Sequence, residues 1–452
     1  MTSLFRSLQL LSNMQKLKRI DALKQILVFS APIIFGQIGL MLIGTGDMII
    51  AGRYSRECLA AIGLAIAILN PIQISLLGLQ FSIGPILAQM RGKGEDVRGA
   101  YWTIILYSML VSLGSCILSL FSYFVVAFID YGPDLNRIIM NYIFITSFST
   151  FGLGLYQGVK EFYQSQEKTF AANLTAIAIA VFNLGLNYAL VFGSWGAPNL
   201  KEEGLAWASL ISRIVMSLCL FFLSYKFWKS SKKINWSLMR DFWKVGLPIS
   251  ASLFFEIMAF CSVTLFVGRF PEVQIAANNL ALNIGSIAFM IPLSISAAVS
   301  VKVGHAYGEK DLERINVYSQ MSLFTSFVFA CLMGITFYLF PQNILNFYTA
   351  DLEVIEWGKK LLFWVACFQL FDGAQVTLAG ILRGLSVTRP SSIAIFIGYW
   401  IIGIPLGYYL GFHTDLEAQG FWIGLAISLA VVALMLSVVL KNHMKKLIKL
   451  SI

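Results

Sequence analysis

Three acidic residues stand inside runs of sequence that are otherwise almost wholly apolar. Asp47 falls in the run near 25–52, Glu256 in that near 243–268 and Asp372 in that near 355–381. A carboxylate at the centre of a bilayer costs ~2.5–3.5 kcal/mol on insertion scales, so each needs a reason to be there. One reason is structural, a hydrogen bond or ion pair between helices. Arg213 is the only basic residue expected inside a span, so at most one of the three acids could be neutralised in that way. The other reason is chemical. A desolvated carboxyl can bind and release a proton, and beside amide and hydroxyl oxygens it can hold a sodium ion. The default for an intramembrane acid is function.

Polar uncharged residues extend the pattern. Asn183 and Asn187, four apart in the fifth run, share one helical face, and Ser209 lies in the sixth. An asparagine pair in a membrane helix is more often glue between helices; facing Asp47, the pair would complete an oxygen site. In the second half, Tyr399 and the asparagines 278, 279 and 283 could do the same. Gln37, Gln80, Gln157 and Gln375 are candidate donors lining a cavity.

These residues need a membrane around them, and the composition supplies one. Of 452 residues, 58% are hydrophobic and 12% charged, where soluble domains have ~45–50% and ~25%. Such a chain cannot cover a soluble surface. The composition excludes a cytosolic enzyme, a disordered chain and a secreted disulfide scaffold. The six cysteines are scattered without a CxxC and read as small core residues. The three histidines are far apart in sequence, which argues against a His-based metal site. No cleavable signal peptide is expected, and residues 1–24 read as a basic cytoplasmic arm.

A bilayer-spanning helix needs ~20 apolar residues. Twelve candidates follow, near 25–52, 58–88, 99–128, 138–159, 169–193, 204–225, 243–268, 274–301, 315–340, 355–381, 391–411 and 419–440. If they alternate in direction, 25 Lys and Arg fall on the side of both termini and 7 on the other. That bias places both termini in the cytoplasm. It explains the net charge of +10 without invoking nucleic acid.

The chain also repeats itself. At an offset of 216 residues Pro32 meets Pro248, Gly52-Arg53 meets Gly268-Arg269, Ala60-Ala61 meets Ala276-Ala277, and Gly92 meets Gly308. The expected fold is an all-α membrane protein of twelve transmembrane helices in two six-helix lobes. An N-lobe at 25–228 and a C-lobe at 229–452 follow the arm at 1–24. An even number of spans per half makes these parallel repeats, an architecture that suits a transporter. The acids do not obey the repeat, since Asp47 aligns with Val263 and Glu256 with Leu40. No GxxxxGK[ST], HExxH or GxSxG motif and no zinc spacing occurs, so no enzyme is expected. An ion gradient is the natural energy source.

Five segments then carry a resemblance over nearly the whole chain: Gly46-Asp47-Met-Ile-Ile-Ala-Gly52, Ala251-Ser-Leu-Phe-Phe-Glu256, Pro292 to His305, Phe371-Asp372 to Gly380, and Tyr399-Trp-Ile-Ile-Gly-Ile-Pro405. Together they resemble the multidrug and toxic compound extrusion (MATE) transporters, in particular the NorM-like branch. The resemblance implies export of amphipathic, often cationic drugs and toxic compounds, coupled to entry of sodium or protons, with no other cofactor. It implies an N-lobe cation or proton site at Asp47, Asn183, Asn187 and Ser209. It further implies a C-lobe cation site at Glu256, Asp372 and Tyr399, with Glu256 and Asp372 as sodium ligands. Gln37, Phe368, Gln375 and Asn283 are candidates for the substrate cavity. Phe368 departs from the branch, which often has tyrosine there, and removes a hydroxyl. A monomeric, multi-pass protein of the cell inner (plasma) membrane is implied, with small-molecule substrates, the lipid bilayer as partner and no nucleic acid. Two alternatives stay open. A lipid-linked-substrate flippase shares the two-lobe architecture but usually carries more basic cavity residues. A receptor or scaffold predicts neither buried acids in both halves nor cation dependence.

Overall fold

The computed structural model describes residues 2–129 and 132–451, with backbone alone at 2–18, 125, 129, 450 and 451. The arm expected at 1–24 therefore lies outside the described side chains up to residue 18. Among the described residues every regular element is helical. Twelve helices among the described residues are long and apolar enough to cross a membrane. They are α1 (Arg19–Tyr54), α2 (Arg56–Gly92), α3 (Val97–Phe128), α4 (Pro133–Ser165), α5 (Phe170–Phe192) and α6 (Glu203–Leu223). The second half supplies α7 (Trp236–Val267), α8 (Glu272–Gly308), α9 (Leu312–Leu339), α10 (Leu352–Gly384), α11 (Arg389–His413) and α12 (Ala418–Lys449). The number matches the sequence reading, and the protein is a multi-pass membrane protein.

Short polar signals set the helix ends. Ser55 caps α2 by accepting from the amide of Cys58 at 3.0 Å, and Asp311 caps α9 through the amide of Arg314 at 2.9 Å. Gly193, at φ +68°, ends α5 in the left-handed conformation. Prolines 32, 71, 248 and 292 stay inside their helices, which membrane helices tolerate where neighbours re-satisfy the freed carbonyls. Large apolar side chains remain on the outside, Phe121, Phe124 and Phe128 along one side of α3 among them. In lipid such a surface carries no penalty.

The chain divides into two compact units. One holds 32–90 and 94–254; the other holds the chain up to Ala31, residues 91–93 and everything from Phe255. The division does not fall at a single cut near 228. Instead α1 changes unit at Ala31/Pro32 and α7 at Phe254/Phe255. The first helix of each half thus begins with one unit and ends with the other, as expected if the halves are copies.

Each unit has its own packed interior. In the first, α4 is central and packs against α2, α3 and α6. Tyr107, Tyr156 and Phe162 are sealed among its buried apolar side chains. In the second, α10 packs against α8, α9 and α12, around Phe368, Tyr399, Phe421 and Trp422.

Candidate cation sites

The site in the first unit is assembled by four helices around Asp47, which is 1% exposed on α1. Its Oδ1 accepts from Asn187 Nδ2 at 2.7 Å. Its Oδ2 accepts from Ser209 Oγ at 2.7 Å and from the Tyr142 hydroxyl at 2.9 Å. Behind this shell Asn187 also donates to Asn183 Oδ1 at 3.2 Å, and Asn183 donates to Ser212 Oγ at 3.3 Å. A hydrogen bond to a charged group is worth ~1.5–3 kcal/mol net. Two of the three therefore offset the insertion cost of an aspartate, and no ion pair is needed. None forms: Arg213 donates to Ser149 Oγ at 2.8 Å and to Gln73 Oε1 at 3.2 Å, both uncharged. Asn187 Oδ1 is buried beside the carboxylate without a partner.

All three residues expected around Asp47, namely Asn183, Asn187 and Ser209, are thus brought together with it or with one another. Tyr142 was missed. Its signal was present as the stripe Tyr142, Thr146, Ser149 and Thr150, a polar face at helical spacing on the fourth span.

In the second unit the candidates are gathered more loosely. Tyr399 is fully buried and donates to Glu256 Oε1 at 3.3 Å. It sits in a π-helical stretch, Ile397–Gly403, that ends two residues before Pro405. Pro405 cannot donate to the carbonyl of Ile401 in an α-helix, and such π-bulges recur at functional sites. Asp372 is 3% exposed, with Oδ1 buried and unpartnered, and Glu256 is within Coulombic reach of it. Gln375, one turn further along α10, also has its oxygen buried and unpartnered.

The residues expected to line a cavity differ in their surroundings. Phe368 is buried edge-on between the rings of Phe260, at 5.8 Å, and Trp422, at 5.6 Å. Asn283 is exposed and accepts from the Tyr348 hydroxyl at 3.5 Å. Gln37 is half-buried on α1. Among the described residues no group of three or more His, Cys, Asp or Glu side chains could hold a metal ion. A cation here would be held by mixed carboxylate, amide and hydroxyl oxygens, the donor set that suits sodium or a proton rather than a transition metal.

One expectation fails. Arg213 is not the only basic residue withdrawn from the surface, for it is half-buried while Lys160, Lys302 and Arg383 are all buried. Arg383 donates to Ser296 Oγ at 2.6 Å and lies within Coulombic reach of Glu256. Glu161 is buried as well, accepting from Gln157 Nε2 at 3.1 Å. The apolar runs ended before these residues, but the helices do not.

Twelve apolar helices in repeated halves, with carboxylates buried among amides and hydroxyls, define a polytopic membrane transporter rather than an enzyme. The MatE family pattern matches residues 32–189 and 248–409, one stretch in each half, and the chain belongs to that family. The multidrug resistance protein NorM of Vibrio cholerae is 30% identical over 90% of this chain and 92% of its own. A probable multidrug resistance protein NorM of Bacillus cereus is 32% identical over 90% of this chain and 92% of its own. A MATE transporter crystallised in a straight conformation shares the fold, with a TM-score of 0.85 at 19% identity over 95% of this chain and 97% of that one.

Proposed function

We propose that the protein is a cation-coupled antiporter that exports amphipathic, often cationic drugs and toxic compounds, driven by entry of sodium, protons or both. The observation that carries this reading is the pair of incompletely satisfied acidic sites. Beside Asp47 the oxygen of Asn187 has no partner, and in the other unit Asp372 Oδ1 has none. Buried oxygens next to a carboxylate that lack a donor are places where an arriving cation gains more than it loses. The names of the curated relatives support drug export and give no support to a lipid-linked-substrate flippase.

The first site would consist of Asp47, Asn183, Asn187 and Ser209, with Tyr142 added. The second would consist of Glu256, Asp372 and Tyr399. Coupling requires the ion and the drug to prefer different conformations, because a ligand that binds two states equally shifts nothing. We place the protein as a monomer in the cell inner membrane with both termini in the cytoplasm, in line with the charge bias between loops.

Reconstitution into proteoliposomes tests the function. Ethidium transport should follow an imposed sodium or proton gradient and collapse when that gradient is dissipated. Transport insensitive to both gradients would exclude antiport.

A further inference from the structure

Arg213 has no part in the exchange just described, yet it is a permanent charge within a membrane span. Arginine stays protonated at any physiological pH. Its two hydrogen bonds go to uncharged oxygens on α4 and α2. Among the described residues it has no carboxylate within ion-pair distance.

Its placement beside Asp47 follows from the register of two helices. Tyr142 and Ser149 stand two turns apart on α4; Ser209 and Arg213 stand one turn apart on α6. Tyr142 and Ser209 bond Asp47, while Ser149 bonds Arg213. Asp47 and Arg213 are therefore successive rungs between the same two helices, separated by about 6–10 Å at 1.5 Å rise per residue. Arg213 accordingly lies within Coulombic reach of both Asp47 and Tyr142. The backbones of α4 and α6 approach closely here, since a β-carbon at Gly152 would stand 2.5 Å from the carbonyl oxygen of Arg213. The other ionisable groups facing the rungs are few. On α4 there is Tyr142; on α6, Glu203 lies further out, bonded by Asn141 at 2.8 Å. α5 presents only Asn183 and Asn187, and α2 presents Gln73.

We propose that Arg213 is a fixed internal cation that weakens binding of the coupling ion at Asp47 and so keeps that ion releasable. The proposal rests on Asp47 being an ion site. Two unit charges at this separation, with an effective dielectric constant of ~20, alter a binding constant on the order of fifteen- to a hundredfold. An exchanger benefits because an ion held that much more tightly would leave too slowly on each cycle.

The test titrates sodium and protons separately against ethidium efflux from proteoliposomes. Arg213→Gln should lower the half-saturating cation concentration about tenfold or more, while Arg213→Lys should stay within about threefold of the parent. Gln73→Glu, which sets a carboxylate against the guanidinium without removing it, should tighten cation binding in the same direction and covers the case in which Arg213→Gln does not fold. Unchanged half-saturation in folded Arg213→Gln or in Gln73→Glu overturns the proposal. Equal shifts in Arg213→Gln and Arg213→Lys also overturn it, because they mark a purely hydrogen-bonding role. Asp47→Asn separates the two readings. If it retains the parent's cation dependence, the ion site itself is wrong; if it loses that dependence while Arg213→Gln shifts nothing, only the role of Arg213 is wrong.

Discussion

Gly152→Ala should damage this protein far more than a single methyl group suggests. The added β-carbon would stand 2.5 Å from the carbonyl oxygen of Arg213 and 2.8 Å from the amide nitrogen of Ile214. Both are backbone atoms of α6, so no side chain can swing aside. Unstrained carbon contacts lie at ~3.5–4.0 Å, so α4 and α6 must part by about 1 Å. Overpacking of this kind costs ~1–3 kcal/mol. The same parting strains the donors that α4 and α6 aim at Asp47, where Ser209 now sits at 2.7 Å. A bond stretched by that much ceases to be one. Gly114→Ala is the matched control, for a β-carbon at Gly114 would have nothing within 4 Å. In a helix interior that exchange should be neutral or stabilising by up to ~1 kcal/mol. Thermal unfolding in detergent and cation-dependent ethidium efflux measure the two effects. Gly152→Ala should lower the unfolding temperature and weaken efflux, while Gly114→Ala should do neither. Equal stability and activity in the two variants would refute the close approach of α4 and α6 and the packing argument built on it.

Other perturbations have equally definite outcomes. Asp47→Asn should express and fold, since an amide fills the same space, but should abolish cation-coupled efflux in vesicles. Trp422→Phe removes the bond from the indole to Asn278 Oδ1 at 3.0 Å. Because Asn278 Nδ2 already lacks a partner, the whole amide is then stranded, and unfolding in detergent should show a loss of ~1–3 kcal/mol. Lys232→Cys, in the loop between the halves, should resist a membrane-impermeant maleimide applied to intact cells and react after lysis; labelling from outside would reverse the proposed topology.

The spans were legible because lipid imposes a length and an apolar composition that no soluble fold requires. Asp47, Asn183, Asn187 and Ser209 were legible for the complementary reason: each is costly where it stands unless it meets the others. Tyr142 was not, because a tyrosine is half apolar and raises no alarm in a membrane helix. The buried Lys302 was hidden by helix length. α8 runs from Glu272 to Gly308, 37 residues, or about 55 Å, where the hydrocarbon core is ~30 Å thick. The helix is thus longer than the hydrocarbon core requires, and its C-terminal end is packed against protein. There Lys302 is covered by the rings of Phe29 and Tyr318, with its Nζ 3.4 Å from Gln25 Oε1. A basic residue near a span end reads as a loop charge in sequence, although the helix carries it inside.

Counterflow tests cation-coupled antiport most directly. Proteoliposomes loaded with ethidium and given no ion gradient should take up sodium or protons as the dye leaves, because coupling between two ligands is reciprocal. Asp47→Asn vesicles should show no such uptake. Dye exit from parent vesicles with no accompanying movement of either ion would contradict cation-coupled antiport.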